Sequence, residues 1–525
     1  MNPNTVAVDS TVSPAKLTFA NSFNVAVPFI DRHVTEGRGD KVAIRTTDGD
    51  TTYAELLEGV NRAGNVLISL GLKPGDRVLM VVKDSPTFPF LFWGAIKAGF
   101  VPVPVNTLLH AKDYQYMAID SDAACVVWSP EFESCIRAAL DRMAIQPLHQ
   151  FPTEGDGKTF ASLLANASTD LNPFPASADA DCFWLYTSGS TGDPKGAVHA
   201  HKDMVVTSQY YGVETLSITE KDICLSAAKL FFAYGLGNAM TFPFWVGGQA
   251  VLWGGRTTPD SMFEHIERFR PTLYFGVPTL FATQLQTLSH TSPDLSSLRV
   301  CVSAGEPLPA NIFKRWEART NLKILDGIGT TENLHIFISN RPDDVRTGVS
   351  GRPVPGYQIK IVNDKGGPVK QGEIGHLMVR GQSATSRYWK LPERTEATLV
   401  DGWLRTGDSY YQDEDGYYIC CGRSDDMLKV GGIWVSPVEI ESRLMDHEAV
   451  LEAAVVGRTD DDQLVKAEAF IILDEGHTAS DSLAEALQAF CKAGLARYKY
   501  PRWVYFVDEL PKTATGKIQR FILRA

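Results

Sequence analysis

Residues 186–196 read Tyr-Thr-Ser-Gly-Ser-Thr-Gly-Asp-Pro-Lys-Gly. Thr187, Ser188, Ser190 and Thr191 bring hydroxyl donors, and Lys195 brings an ammonium. Gly189 and Gly192 let the backbone turn tightly and present N–H groups at close range. Such a stretch can cradle a polyphosphate. It is not a Walker loop, because Lys195 follows Pro194 and precedes Gly196 rather than Ser or Thr. A solvated Ser/Gly turn is the plain alternative, which this order of hydroxyls, glycines and lysine disfavours.

Leu185 and Tyr186 close an apolar run, so the loop leaves a strand. From about Lys41 onward, strand-like and helix-like segments alternate. Thr52 and Glu55 read as a capping box, followed by Leu56, Leu57, Val60, Ala63, Leu67 and Leu70 at helical spacing and by Gly71 as the stop. Arg77–Val82 reads as a buried strand, Phe90–Lys97 as a helix, and Val101–Val105, with two prolines, as an extended edge. This alternation predicts an α/β domain of layered sheets and helices. Asp408–Gly422, rich in Tyr, Asp and Gly, predicts strands joined by tight turns. The last hundred residues predict a small α+β unit. Its strands are Val450–Val456, Ala467–Leu473 and Trp503–Val507, and Leu483, Leu487 and Phe490 share a helix face. The boundary is placed at Asp425, giving an N-terminal domain 1–424 and a C-terminal domain 425–525.

Composition narrows the function. The chain has 525 residues, 44% hydrophobic and 21% charged, with a formal net charge of -12. A general nucleic-acid or anionic-membrane binder needs a broad basic face, so neither partner is expected. The eight cysteines form no C-x-x-C pair or zinc spacing and read as reduced core thiols. No secretory leader or membrane-length apolar run is visible, and a cytoplasmic protein is expected.

The 186–196 loop resembles the signature of the adenylate-forming superfamily, which includes acyl- and aryl-CoA ligases, luciferases and the adenylation domains of peptide synthetases. The resemblance covers nearly the whole chain, because further motifs follow in the family's order. It implies an ATP site built from Thr187, Ser188, Gly189, Ser190, Thr191, Gly192 and Lys195. To these it adds Ala304, Gly305 and Glu306 of the Ser303–Pro307 run, and Asp326, Gly327, Ile328 and Thr331 of the run 326–332. Glu332 closes that run as a hard oxygen ligand for Mg²⁺; taken alone, a solvated Glu in an Asp/Gly turn explains it equally well. Many relatives carry an aromatic residue where Ile328 stands, so adenine here would rest on apolar packing. Asp408, in Trp403–Asp408, would hold the ribose hydroxyls, with Arg423 assisting on the ribose or phosphate side.

The resemblance makes Asp425 a hinge about which a mobile C-terminal lid rotates between two half-reactions. It makes Lys517, the last residue of Pro-Lys-Thr-Ala-Thr-Gly-Lys, the ammonium that stabilises carboxylate attack on the α-phosphate. A flexible basic tail is the alternative, and Lys512, Arg520 and Arg524 fit it. Relatives are often acetylated on this lysine, implying an acetyltransferase and deacetylase as partners.

Free coenzyme A is the expected acceptor, because no carrier-like segment follows. Its site is read as Lys429, Gly431, Gly432, Trp434, Lys499 and Arg502, the last two from the acid-free stretch 490–507. An ordinary solvated face explains that stretch almost as well. Phe232, Ala233, Tyr234 and Gly235 resemble the acyl-pocket segment of aryl-CoA ligases, and His335 the pocket histidine of benzoate-type ligases. With Gly329 and Ile336 they would close around one ring. The small aromatic acid expected is benzoate. A 4-hydroxybenzoate or medium-chain fatty-acyl ligase and a catalytically inactive nucleotide-binding protein are the alternatives. A monomer or homodimer is expected.

Overall fold

The computed structural model describes residues 1–187, 193–430, 433–460, 464–496, 498–512 and 517–524. The helix at Tyr53–Ser69 begins where the capping box places it: Thr52 Oγ1 accepts from the Glu55 amide at 3.2 Å, and Glu55 Oε2 accepts from the Thr52 amide at 2.7 Å. Its apolar stripe, Leu56, Val60, Ala63 and Leu67, is fully buried in the largest core cluster. The next helix is one turn longer than expected, Thr87–Lys97, because Pro89 falls in its first turn, where no intrahelical N–H is needed.

Two sheets with parallel cores carry the large domain. The first has nine strands, and its parallel centre runs in the order Ile324–Gly329, Val300–Ser303, Leu273–Gly276, Ile223–Ser226, Gln249–Val251, Val42–Thr46. The second is all parallel and joins Val101–Pro104, Arg77–Val81, Ala123–Trp128 and His149–Pro152, with the proline-bearing strand at its edge. An antiparallel trio, Asp181–Thr187, Lys195–Ala200 and Arg387–Tyr388, positions the phosphate-loop hairpin. An antiparallel sheet follows, in which Trp403–Gln412 and Tyr418–Arg423 are the strands expected between 408 and 422.

The C-terminal residues form their own core around Ile440, Leu444, Val455, Ala469, Ile471 and Leu487. Three strands, Val450–Thr459, Val465–Leu473 and Pro501–Phe506, pack with helices Pro437–Met445 and Asp481–Gly494. All eight cysteines are free thiols. Among the described residues no helix is long and apolar enough to cross a membrane.

Candidate active site

The hairpin register sets Lys195 opposite Thr187, so both flank the phosphate loop; Ser188, Gly189, Ser190, Thr191 and Gly192 lie outside the described residues. The third strand of that sheet brings Tyr388 opposite Ala197. Lys195 Nζ lies 4.7 Å from the centroid of the Tyr388 ring, and the Tyr388 hydroxyl donates to Glu332 Oε1 at 2.6 Å. Burial lowers the Lys195 pKa, and the Glu332 carboxylate works against that fall. Tyr388 is a site residue that the motifs do not announce.

Glu332 sits in the 3₁₀ turn Thr331–Asn333, capped by Thr330 Oγ1, which accepts from the Asn333 amide at 3.1 Å. The turn follows the strand Ile324–Gly329, whose neighbour Val300–Ser303 runs on into Ala304, Gly305 and Glu306. Both runs therefore emerge at the carboxyl end of the parallel sheet, where α/β folds place their ligands. Asp326 and Gly327 are buried within the strand Ile324–Gly329. The Asp326 carboxyl is buried beneath the Leu308 amide, and burial raises its pKa well above the carboxylate range. Ile328 is half-buried against an apolar cluster, in keeping with an apolar face for adenine.

The C-terminal domain reaches this cleft. A methyl group built on Gly305, whose φ is +97°, would stand 3.8 Å from Lys517 Cε. Glu306 Oε1 accepts from the Ile518 amide at 2.8 Å. Burial raises the Glu306 pKa, and the Ile518 amide, Arg520 and Lys517 oppose the rise. Asp408 is raised by burial and held down by Arg423, which donates to it at 3.1 Å and to the Thr406 carbonyl at 2.9 Å; Lys517 also pulls it down. Lys195, Glu332, Asp408, Arg423 and Lys517 thus face one cleft. Asp425 is exposed in the connection between strands Tyr418–Arg423 and Leu428–Val430.

Beside this cleft lies a ring-lined site. His335 is buried, with Nε2 3.1 Å from Asn238 Oδ1 and 3.3 Å from the Tyr234 carbonyl oxygen. Its ring meets Phe242, Tyr211 and Tyr234 at centroid distances of 4.5, 5.2 and 5.6 Å. Burial depresses its pKa to about 3, so the imidazole is neutral. Tyr234 donates to the Gly276 carbonyl at 3.2 Å; Ala233 and Ile336 are buried, and Phe232 stacks edge-on against Phe231. Gly235 and Gly329 are obligatory: a Cβ would stand 2.1 Å from the Lys229 carbonyl oxygen or 2.7 Å from the His335 carbonyl.

The model of the AMP-binding enzyme family matches residues 30–389, and that of its C-terminal domain matches 439–517. This chain belongs to the AMP-binding enzymes. It is similar to benzoate–CoA ligase of Thauera aromatica, 48% identical over 98% of both chains. Among solved structures it is similar to the anthranilate CoA ligase AuaEII in complex with anthranoyl-AMP. That match has 42% identity and a TM-score of 0.92, covering 96% of this chain and 97% of that one. It is also similar to a benzoate CoA ligase from Burkholderia xenovorans LB400, with 44% identity and a TM-score of 0.89, covering 96% of this chain and all of that one.

In this AMP-binding enzyme the remaining expected residues are more scattered. Gly431 and Gly432 lie outside the described residues. Lys429 and Trp434, from the flanking strands, are exposed, with Nζ 5.5 Å from the Trp434 ring. Lys499 is not a bare cation, because Glu439 accepts from it at 2.7 and 2.9 Å. The stretch 490–507 has no acid of its own, but helix Pro437–Met445 supplies one. Arg502 lies over Tyr500, 5.0 Å from its ring.

The donor set at Glu332 fits Mg²⁺. Tyr388 occupies Oε1, and Oε2 accepts no hydrogen bond among the described residues. No cluster of three His, Cys, Asp or Glu that could cage a metal occurs among the described residues. One hard carboxylate oxygen suits an ion that takes its other ligands from phosphates and water.

Proposed function

We propose that this chain is an AMP-forming ligase that joins benzoate to coenzyme A through benzoyl-adenylate. In the first step a benzoate oxygen attacks the α-phosphorus of ATP, the bond to the β-phosphate oxygen breaks, and pyrophosphate leaves. In the second step the coenzyme A thiol loses its proton and attacks the acyl carbonyl, and AMP leaves. Two anions must meet in the first step, so the charge that builds on the α-phosphate is the chief obstacle. Lys517 is assigned to that charge; removing one well-placed donor of this sort typically costs about 10²–10³ in rate.

Lys195 and Thr187, with the loop they flank, would hold the outer phosphates, Thr331 would donate to a phosphate, and Asp408 with Arg423 would hold the ribose side. Glu332 would be the protein ligand of Mg²⁺, which shields phosphate charge when bound. The neutral His335, with Tyr234 and Phe242, would close the acid site around one ring. The observation that carries the reading is the approach of Lys517 to Gly305, next to Asp408 and within one cleft with Lys195 and Glu332. The similarity over full length to benzoate–CoA ligases favours benzoate among aryl acids.

The domains are taken as 1–424 and 425–525, with Asp425 the pivot that withdraws Lys517 and lets residues 429–434 approach for the second step. Lys429, Trp434, Lys499 and Arg502 would receive coenzyme A. Acetylation of the exposed Lys517 would remove its charge and stop adenylation. The enzyme is placed in the cytoplasm, as a monomer or homodimer. The test is exchange of labelled pyrophosphate into ATP: benzoate should drive it, and exchange with medium-chain fatty acids but not benzoate would reject the substrate.

A further inference from the structure

A second buried histidine lies against the turn that carries Glu332. His199 lies on the strand Lys195–Ala200 that begins with the phosphate-loop lysine, and both it and Asp203 are completely or almost completely buried. Its Nε2 is 2.8 Å from the Thr331 carbonyl oxygen, and its Nδ1 is 3.0 Å from Asp203 Oδ2. A carbonyl oxygen only accepts, so Nε2 carries the hydrogen and donates to Thr331. Nδ1 then shares a second proton with Asp203, whose Oδ2 also accepts from the Ala200 amide at 3.0 Å. Phe183 stacks on the ring at 5.2 Å and 19°, fixing its plane.

The adjoining peptide is held from a third element. The Thr385 amide donates to the Glu332 carbonyl at 2.6 Å, and the Thr385 hydroxyl donates to the Val198 carbonyl at 2.7 Å. Both carbonyls flanking the Glu332 Cα, those of Thr331 and of Glu332 itself, are therefore tied to the Lys195–Ala200 strand, one through His199 and one through Thr385. Tyr388 fixes the far end of the same side chain. Glu332 and Lys195 are thereby kept at a set separation, although the turn and the strand are more than a hundred residues apart in sequence.

We propose that His199, oriented by Asp203, is a positioning residue that fixes the Thr331–Glu332 turn against the phosphate-loop strand for use of Mg·ATP in adenylation. The inference rests on the reading of Thr331 and Glu332 as the Mg·ATP edge of the site. It separates two substitutions of similar size. His199→Gln can place an amide donor near Nε2 and keep the bond to Thr331. His199→Asn keeps a group near Nδ1 for Asp203 but falls short of Thr331.

The test measures the KM for ATP at saturating and limiting Mg²⁺ in benzoate-dependent pyrophosphate exchange, and separately thioester formation from supplied benzoyl-AMP. His199→Asn should raise the KM for ATP about tenfold, more so at limiting Mg²⁺, and leave the second half-reaction within about twofold. His199→Gln should stay within about threefold of the parent in both. Equal loss in both half-reactions, or identical behaviour of the two variants, would overturn the proposal in favour of a purely structural pair. If His199→Asn does not fold, Asp203→Ala, which leaves Nδ1 without a partner on that side, takes its place: a folded Asp203→Ala enzyme with an unchanged KM for ATP overturns it equally. A parent enzyme without benzoate-dependent exchange would instead defeat the proposed function.

Discussion

The Ile518 amide donates to the Glu306 carboxylate at 2.8 Å, joining the C-terminal segment to the large domain one residue beyond Lys517. The same segment is anchored within its own domain, where Arg520 makes a forked pair with Glu441 at 2.8 and 2.9 Å and Arg524 pairs with Asp426. Asp426 adjoins the proposed pivot, so movement at 425 would carry Lys517 with it. Glu306, which the motifs suggest as a nucleotide contact, serves in this arrangement as the large domain's hold on the lysine segment.

The first prediction follows from that contact. A hydrogen bond to a charged acceptor contributes about 1.5–3 kcal/mol, so Glu306→Ala should slow benzoate-dependent pyrophosphate exchange by roughly tenfold or more. Thioester formation from supplied benzoyl-AMP should hold within about twofold, since on the proposed two-orientation mechanism that step proceeds after the lysine segment has withdrawn. Assaying the two half-reactions separately decides it; a parallel loss in both would mean that Glu306 supports the fold.

Lys517→Ala should be more severe and more selective. Adenylation should fall by at least about 10²-fold, the usual cost of removing a donor aimed at developing charge, while the thioester step from supplied benzoyl-AMP survives. Single-turnover assays of each half-reaction check this, and equal losses would contradict a mechanism with two domain orientations.

The ring-lined site makes a steric prediction. A Cβ on Gly237 would lie 2.4 Å from His335 Cδ2 and 2.6 Å from Nε2, so Gly237→Ala must displace the imidazole. The KM for benzoate should rise about tenfold or more, with the KM for ATP little changed. Steady-state kinetics with each substrate varied in turn tests this; a shift confined to ATP would move the acid site elsewhere.

Buried histidines predict the acid limb of stability. Burial lowers His33 and His335 to about 3 and His201 to about 4. Their folded pKa values lie below the unfolded value, so the unfolded chain binds more protons below about pH 6.5 and acid favours unfolding. Between about pH 7.5 and 6 the three together should remove roughly 2 kcal/mol of stability. Asp84, raised to about 6 by burial, and Asp326, raised well above the carboxylate range, act in the opposite sense. Urea unfolding across this range, run beside a His201→Phe variant, should show the parent losing more stability with acid than the variant; an identical pH dependence in the two would contradict the burial of a neutral imidazole at 201.

Lys195, Glu332 and Asp408, which the structure brings to one cleft, each lie in a contiguous motif, because each short run already holds the groups its chemistry would need. The capping box at Thr52 and Glu55 was legible for the same reason, since both partners lie within one turn. Tyr388 was not, because its hydroxyl meets Glu332 only through pairing of Arg387–Tyr388 with the Lys195–Ala200 strand. Lys499 looked like part of a bare basic face because Glu439 lies sixty residues away in sequence. The burial of the Asp326 carboxyl under the Leu308 amide is set by packing that the 326–332 motif does not encode. Sheet order was equally hidden: Val42–Thr46 lies beside Gln249–Val251, a pairing that no local pattern encodes.

The deciding measurement is to incubate the enzyme with benzoate, ATP, Mg²⁺ and coenzyme A and to identify every product by mass spectrometry. Benzoyl-CoA should appear together with AMP and pyrophosphate in equal amounts, with no turnover when benzoate is omitted. ADP and phosphate in place of AMP and pyrophosphate, or AMP release that does not depend on benzoate, would contradict the proposed function.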